Sequence, residues 1–309
     1  MHVRVLGSAA GGGFPQWNCG CINCRGLRER TVRATARTQE SVAISADRVH
    51  WFLLNASPEI RAQIESFPPL WPRNRRDTPI AGILLNNGDL DHCLGLLSLR
   101  ESHPMVVYAT DTVRRGFTEG NVLYRTLQRF PQQVTWRPLV LGLEQPLLIG
   151  RDEESGLAVT AIQVPGKRPL HLESPGPGQV SSPEDNVGLI VRDTRSGRRL
   201  AYFSAVGDWS TKVERAVASA DCVFFDGTFW SSDELNSSGV GERSAEDMAH
   251  FPVGGVDGTL SRLQQAGGRR RVLIHINNTN PILCEDSLER RTVNETGIEV
   301  AFDGMEFVL

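Results

Sequence analysis

The chain has 309 residues, with 33 Lys and Arg against 36 Asp and Glu, a formal net charge of −3 and a pI near 6.2. A phosphate backbone demands a basic surface, so this balance excludes a nucleic-acid partner from the expected functions; clusters such as Arg73, Arg75 and Arg76, or Arg269 to Arg271, read as solvated turns. The length allows one large domain or two small ones. No apolar run reaches bilayer length, and the opening HVRVLGSA reads as a strand rather than a signal peptide, so a soluble, cytoplasmic protein without a membrane span is expected.

The first strand runs into Gly7, Ser8 and the triplet Gly11, Gly12 and Gly13. Consecutive glycines permit close turns that side chains would block. The GxxxxGK[ST] spacing of a phosphate loop is absent, so a tight pocket wall is expected, with phosphate binding the alternative. NCGCINC then places Cys19, Cys21 and Cys24 within six residues. Three thiolates at that spacing can converge on one tetrahedral ion, for which zinc is the usual occupant. The competing readings are a CxxC redox pair, Cys21 with Cys24, and chance. A fourth ligand must come from elsewhere. Cys93, Cys222 and Cys284 lie among apolar neighbours and read as core, so no disulfide framework is expected.

From residue 41 short β-rich runs follow, SVAISAD, HWFLLNA and PIAGILLNN, with Asp47 punctuating the first two as a hairpin turn would. The third runs into LLNNGDLDHCLGLLSLR, residues 84–100, where Asn87, Asp89, Asp91 and His92 crowd a turn between a strand and an apolar segment of helical length. Helix capping by Asp91 would account for one acid; four polar groups within six residues point to a metal site. MVVYAT returns to strand. Residues 110–130 carry a helical pattern with Val113, Phe117, Leu123 and Leu127 on the buried face, and 135–139 and 157–164 read as strands. The Pro/Gly/Ser-rich stretch 164–185 is expected to be an exposed or mobile loop able to cover a site, with His171 facing solvent.

Strands resume with VGLIVRD and RRLAYFSA. In ADCVFFDGTFW, Asp226 interrupts a buried strand, and a buried acid must be paired, protonated or metal-bound. His250 precedes a Pro/Gly turn. A helix over 259–265 leads to RRVLIHINNTNPIL, where His275 ends a buried strand beside Asn277, Asn278 and Asn280. It reads either as a hydrogen-bonded core residue or as a ligand. A helix over 285–295 and a strand over 299–308 close the chain.

Two strand-rich halves, the first carrying a ligand loop before a helix, resemble the metallo-β-lactamase fold, in which two β-sheets lie between helices. The fold class that this implies is α+β, an αββα sandwich forming a single domain over residues 1–309. The defining HxHxDH motif of that fold reads Asn87, Asp89, Asp91 and His92 here, so the last two ligands match and the first two histidines are absent. Ala205 stands where a bridging aspartate would fall, residues 163–169 lack the later histidine, and His275 matches the terminal one. Together with SAAGGGFPQWNCGCINCRG, FFDGTFW and HINNTNPIL, these departures resemble the coenzyme PQQ synthesis protein B family from Val3 to the C-terminus.

That resemblance implies a part in making pyrroloquinoline quinone (PQQ) from a Glu-Tyr pair excised from a precursor peptide, by oxygen-dependent hydroxylation of the tyrosine ring at non-haem iron. The implied partners are a small Glu-Tyr-type substrate and other proteins of the pathway. Asp91, His92 and His275 would hold Fe(II), with Asn87 and Asp89 completing its shell or orienting substrate. Asp226 and His250 are candidates for acid–base or supporting roles by likeness to phosphodiesterases of the fold, and Asp89 is a further catalytic candidate. Cys19, Cys21 and Cys24 would hold a structural Zn(II). In those phosphodiesterases a histidine three residues beyond the terminal ligand completes the zinc site; that position is Asn278, a poor zinc ligand, which leaves the fourth ligand open. The alternatives are a non-catalytic carrier of PQQ or its precursor to the periplasm, and a zinc-dependent hydrolase, which the incomplete HxHxDH motif disfavours.

Overall fold

Strands with apolar side chains at successive positions need cover on both faces, and this chain is rich in them. The computed structural model describes residues 1–172, 181–266 and 269–309. Its strands are β1 (His2–Gly7), β2 (Ser41–Ser45), β3 (Trp51–Leu54), β4 (Ile80–Leu84), β5 (Met105–Ala109), β6 (Val134–Pro138), β7 (Glu144–Ile149), β8 (Glu153–Gln163), β9 (Val187–Asp193), β10 (Arg199–Phe203), β11 (Cys222–Asp226), β12 (Arg270–Ile274), β13 (Glu299–Val300) and β14 (Glu306–Val308). The helices are α1 (Ile22–Glu29), α2 (Ile60–Glu65), α3 (Leu90–Cys93), α4 (Gly95–Ser98), α5 (Asp111–Thr118), α6 (Thr211–Ser219), α7 (Glu234–Ser237), α8 (Thr259–Ala266) and α9 (Leu288–Glu295).

Two seven-stranded sheets result, ordered β14-β1-β2-β3-β4-β5-β6 and β13-β12-β11-β10-β9-β8-β7. Side chains alternate across a strand. Val42, Ile44, Phe52 and Leu54 therefore meet Val159, Leu189, Tyr202, Phe224 and Val272 between the sheets. Their neighbours Ala43, Trp51 and Leu53 pack outward on the side of α2, α4 and α5. On the far side Phe203, Val223 and Phe225 pack with residues of α6, α8 and α9. This is the expected αββα sandwich of mixed sheets.

In each sheet three antiparallel pairs give way to three parallel ones: β3 to β6 run parallel in the first, β10 to β13 in the second. Parallel strands bring their carboxyl ends to one edge, where open α/β sheets place their ligands. Here that edge gathers Asn55, the turn after β4, Asp226 and His275. It is also where the sheets are stitched together. Ala10 N donates to Ile276 O (2.9 Å), Ile276 N to Ser8 O (3.0 Å), and Val187 N to Asn86 O (2.9 Å).

Four local expectations need correction. The helix expected over 110–130 stops at Thr118, and the chain continues through Val122–Leu127 as a 3-10 turn. Val113, Phe117 and Leu127 are buried as expected, but Leu123 is 60% exposed, because a 3-10 turn rotates the side chains off the α-helical face. The segment after β4 is two short helices, α3 and α4. Asp89, rather than Asp91, occupies the N-cap of α3, and it makes no side-chain capping bond. Residues 299–308 form two strands in opposite sheets, β13 and β14, because Ala301 to Met305 turn between them. Of the loop 164–185, residues 173–180 lie outside the described residues; His171 is exposed, as expected. Asp47 makes the β2–β3 hairpin turn, its Oδ1 accepting from Val49 N and His50 N at 2.8 Å.

Candidate metal centre

Three ligand-type atoms converge where β4 and β12 end. Asp91 and His92 lie in the first turn of α3, so adjacent residues on one short helix reach the same point, and His275 is the first residue past β12. Asp91 Oδ2 lies 3.2 Å from His275 Nε2 and 3.7 Å from His92 Nε2. Atoms sharing one ion at about 2.1 Å stand about 3.0 to 3.5 Å apart in octahedral or tetrahedral geometry. His275 has a left-handed backbone, φ 57°, unusual outside glycine and typical of residues held under constraint at a site.

Hydrogen bonds fix which nitrogen each imidazole presents. Asn186 Nδ2 donates to the carbonyl of Ala205 (2.8 Å), so its Oδ1 accepts from Asn87 Nδ2 (3.4 Å). Asn87 Oδ1 then accepts from Asp89 N (3.0 Å) and from His92 Nδ1 (2.7 Å). His92 is thus the Nδ1–H tautomer, and its Nε2 lone pair points into the cluster. That Nε2 is buried and has no hydrogen-bond partner among the described residues. A buried acceptor without a donor is costly, and a cation at this point would satisfy it. Thr228 Oγ1 sits 2.6 Å from Asp226 Oδ1 and 2.8 Å from His275 Nδ1. With its proton on the aspartate, it accepts from His275 Nδ1–H and turns Nε2 of that ring toward Asp91.

Asp226 is wholly buried, and both its oxygens are occupied. Val206 N (2.7 Å), Thr228 N (2.9 Å), Thr228 Oγ1 and His250 Nδ1 (2.7 Å) surround it. Burial alone would raise its carboxyl, but the His250 and His275 imidazoles and these donors hold it below the usual carboxylate range. Such an acid orients His250 through Nδ1–H and leaves Nε2 of that ring open. His250 also stacks on His275, with ring centroids 5.5 Å apart.

The polar groups of the turn therefore divide. Asp91, His92 and His275 converge; Asp226, His250 and His275 form the adjoining group. Asn87 stands behind His92 and orients it, while Asp89 is held above the usual range by burial and by Asp91. Burial lowers His92. Burial would also lower His275, but the hydrogen bond and charge of Asp91, with Asp226 and Glu40, raise it to about 9.

Sequence reasoning missed Glu40. It is wholly buried at the entry to β2, 3.8 Å from His92 Nε2, with its carboxylate bonded by Tyr202 Oη and by Asn55 Nδ2 (2.9 Å). Burial pushes it up to about 7. Nothing in TQESVAIS marks that acid, because its partners come from the residue after β3 and from β10. Thr228 was within reach, since it lies two residues after the singled-out Asp226. The glycine triplet does wall the site: a Cβ at Gly11 would lie 3.3 Å from Asp91 Oδ2.

Cys19, Cys21 and Cys24 form the third convergent group, with sulfurs within 4.8 Å of one another. Cys19 Sγ accepts from Cys21 N (3.4 Å) and Cys21 Sγ from Cys24 N (3.5 Å), at the N-terminus of α1. Burial raises the Cys21 thiol less than these bonds lower it, whereas burial pushes Cys24 up to about 12.

The chain matches the Beta-lactamase superfamily domain over residues 50–276. It is 46% identical to the coenzyme PQQ synthesis protein B of Pseudomonas putida (strain F1), with 100% of both chains covered. Its fold is similar, with a TM-score of 0.93 and 39% identity over 100% of each chain, to zinc-bound PqqB from Methylobacterium extorquens. A diphosphatase of the PhnP family shares the fold at a TM-score of 0.65 and 18% identity, over 100% of this chain and 97% of that one. With full-length identity at that level, the chain belongs to the coenzyme PQQ synthesis protein B family, within the metallo-β-lactamase superfamily.

Proposed function

We propose that Asp91, His92 and His275 hold a single Fe(II) and that the protein hydroxylates the tyrosine ring of a Glu-Tyr-derived precursor in PQQ synthesis. A part in PQQ biosynthesis comes with the family; the reaction is our reading. The observation that carries it is the buried, unpartnered Nε2 of His92, aimed with His275 Nε2 at Asp91. Two imidazoles and one carboxylate form the donor set of non-haem iron oxygenases, and three protein ligands leave positions open. Iron held there would supply oxygen activation.

The second half of a dinuclear site, which a hydrolase of this fold would use, has lost its histidines to Asn87 and Asp89. Asn87 and Asn186 bond each other, and Ala205 offers only its carbonyl. The chain's own groups fit ring hydroxylation. His250 Nε2 is placed to take a phenolic or ring proton, and Asp226 steadies the resulting imidazolium. Lys167 bears on Asp89 and supplies positive charge for a substrate carboxylate. Its segment is tied to the turn after β10 by Gly207 N donating to Pro165 O (2.7 Å). One ring C–H becomes C–OH, and the second oxygen atom of O2 leaves as water with two electrons and two protons from an external reductant.

The test is metal analysis of anaerobically purified protein, followed by iron loading of H92A. The wild type should take one iron that H92A does not retain, and H92A should fail to support PQQ production in cells. Full PQQ production by H92A would favour a carrier and overturn the proposal.

A further inference from the structure

The cysteine cluster has three sulfurs and a fourth corner that is filled. The side-chain amide of Asn278 lies 3.1 Å from Cys19 Sγ, 3.6 Å from Cys21 Sγ and 3.4 Å from Cys24 Sγ. A tetrahedral zinc with Zn–S bonds of about 2.3 Å and a Zn–O bond of about 2.0 to 2.2 Å would separate the oxygen from each sulfur by about 3.5 Å. The amide head thus stands at the apex that a fourth ligand would take. The backbone carbonyl of Asn278 is a poorer candidate, because it lies 3.7 Å from Cys21 Sγ and accepts from Asn23 Nδ2 (3.1 Å).

We infer that Asn278 closes the zinc site as its fourth ligand, through Oδ1. This rests on the reading of the three cysteines as a zinc site. Without an ion, the NH2 end of the amide faces the sulfurs as a donor. With an ion, half a turn about the last side-chain bond puts Oδ1 at the same point, since the two ends of a carboxamide are nearly isosteric. Asn23 Nδ2 anchors the backbone on either side of that turn, donating to the carbonyls of Asn278 (3.1 Å) and Asn280 (3.0 Å). Asn278 lies three residues after His275, so a zinc held there also fixes the turn that carries the terminal histidine of the other metal site.

The alternative is that Asn278 only donates N–H bonds to zinc-bound thiolates. The two roles predict opposite rank orders for substitutions. Zinc affinity would be read in full-length protein by displacement of cobalt(II), whose thiolate charge-transfer absorption reports the cysteine site and not the Asp–His site. Ligation by Oδ1 predicts that N278D and N278H bind zinc as tightly as the wild type or tighter, while N278A loses about tenfold or more. If N278D is the weakest of the series, or N278A equals the wild type, ligation by Asn278 is wrong. A wild type that shows no thiolate band and binds no zinc at the cysteines would instead overturn the zinc reading itself. Circular dichroism of each variant separates a lost ligand from a lost fold.

Discussion

His92 illustrates how one residue is specified by neighbours that do no chemistry. Its Nδ1 is committed to Asn87 and its Nε2 is left for the ion, and the chain of amides through Asn186 to the Ala205 carbonyl leaves no freedom to reverse the ring. N87A should therefore weaken active-site metal affinity by about 10- to 100-fold without changing the ligand set, as competition with a chromophoric chelator would show. An unchanged affinity would mean that Asn87 does not orient the ring. His275 gives a pH dependence. In the metal-free protein it is held protonated up to about 9, and an entering ion must displace that proton. Apparent metal affinity should rise about tenfold per pH unit below that value and level off above it; a titration series that is flat from about pH 6 to about 9 would count against this. Asp91, His92, Asp226 and His275 stood out in the sequence because each is a polar group at the end of an apolar run, and His250 because it precedes a Pro/Gly turn and matches a position of the resemblance. Glu40, Asn55 and Asn186 did not, since what makes them part of the site is a partner on a distant strand.

Among the elements, α3 and α4 depend on close backbone approach. Ala56 N donates to His92 O (2.7 Å) and Gly95 N to Ala56 O (2.9 Å), so the exit of β3 grips the helix that carries Asp91 and His92. A Cβ at Gly95 would lie 2.2 Å from Ser57 O and 2.6 Å from Ala56 O. G95A should cost about 1 to 3 kcal/mol by overpacking and lower the thermal midpoint, and it should weaken metal binding as α3 shifts; a variant with the wild-type midpoint would show that the loop yields. On the other sheet, N23A removes the donor that the buried carbonyls of Asn278 and Asn280 share. It should destabilise the protein by about 1 to 3 kcal/mol, measured by denaturant titration. The strands were legible from their β-branched and aromatic runs. The split of 110–130 was not, because Val122 to Leu127 keeps apolar residues at helical spacing while the chain turns extended at Glu119 and left-handed at Gly120, φ 69°.

At the scale of the whole molecule, two sheets of matching design meet at one edge. Each passes from antiparallel to parallel, and the candidate metal centre brings together Asp91 and His92, which follow β4 of one sheet, and His275, which follows β12 of the other. The sequence showed no internal repeat, because the likeness between the halves lies in strand order and direction rather than in residues. The fold class was nonetheless legible through the resemblance carried by the altered HxHxDH motif, the cysteine loop and HINNTNPIL. Among the described residues no helix is long and apolar enough to cross a membrane. The histidine-free half of the centre favours the proposed single-metal oxygenase over a dinuclear hydrolase, and turnover decides between them. Iron-loaded protein given a Glu-Tyr substrate, a reductant and isotopically heavy O2 should yield a ring-hydroxylated product carrying one heavy oxygen atom, with H275A inactive. Product oxygen derived from water, or cleavage of the substrate without O2 uptake, would contradict the assignment.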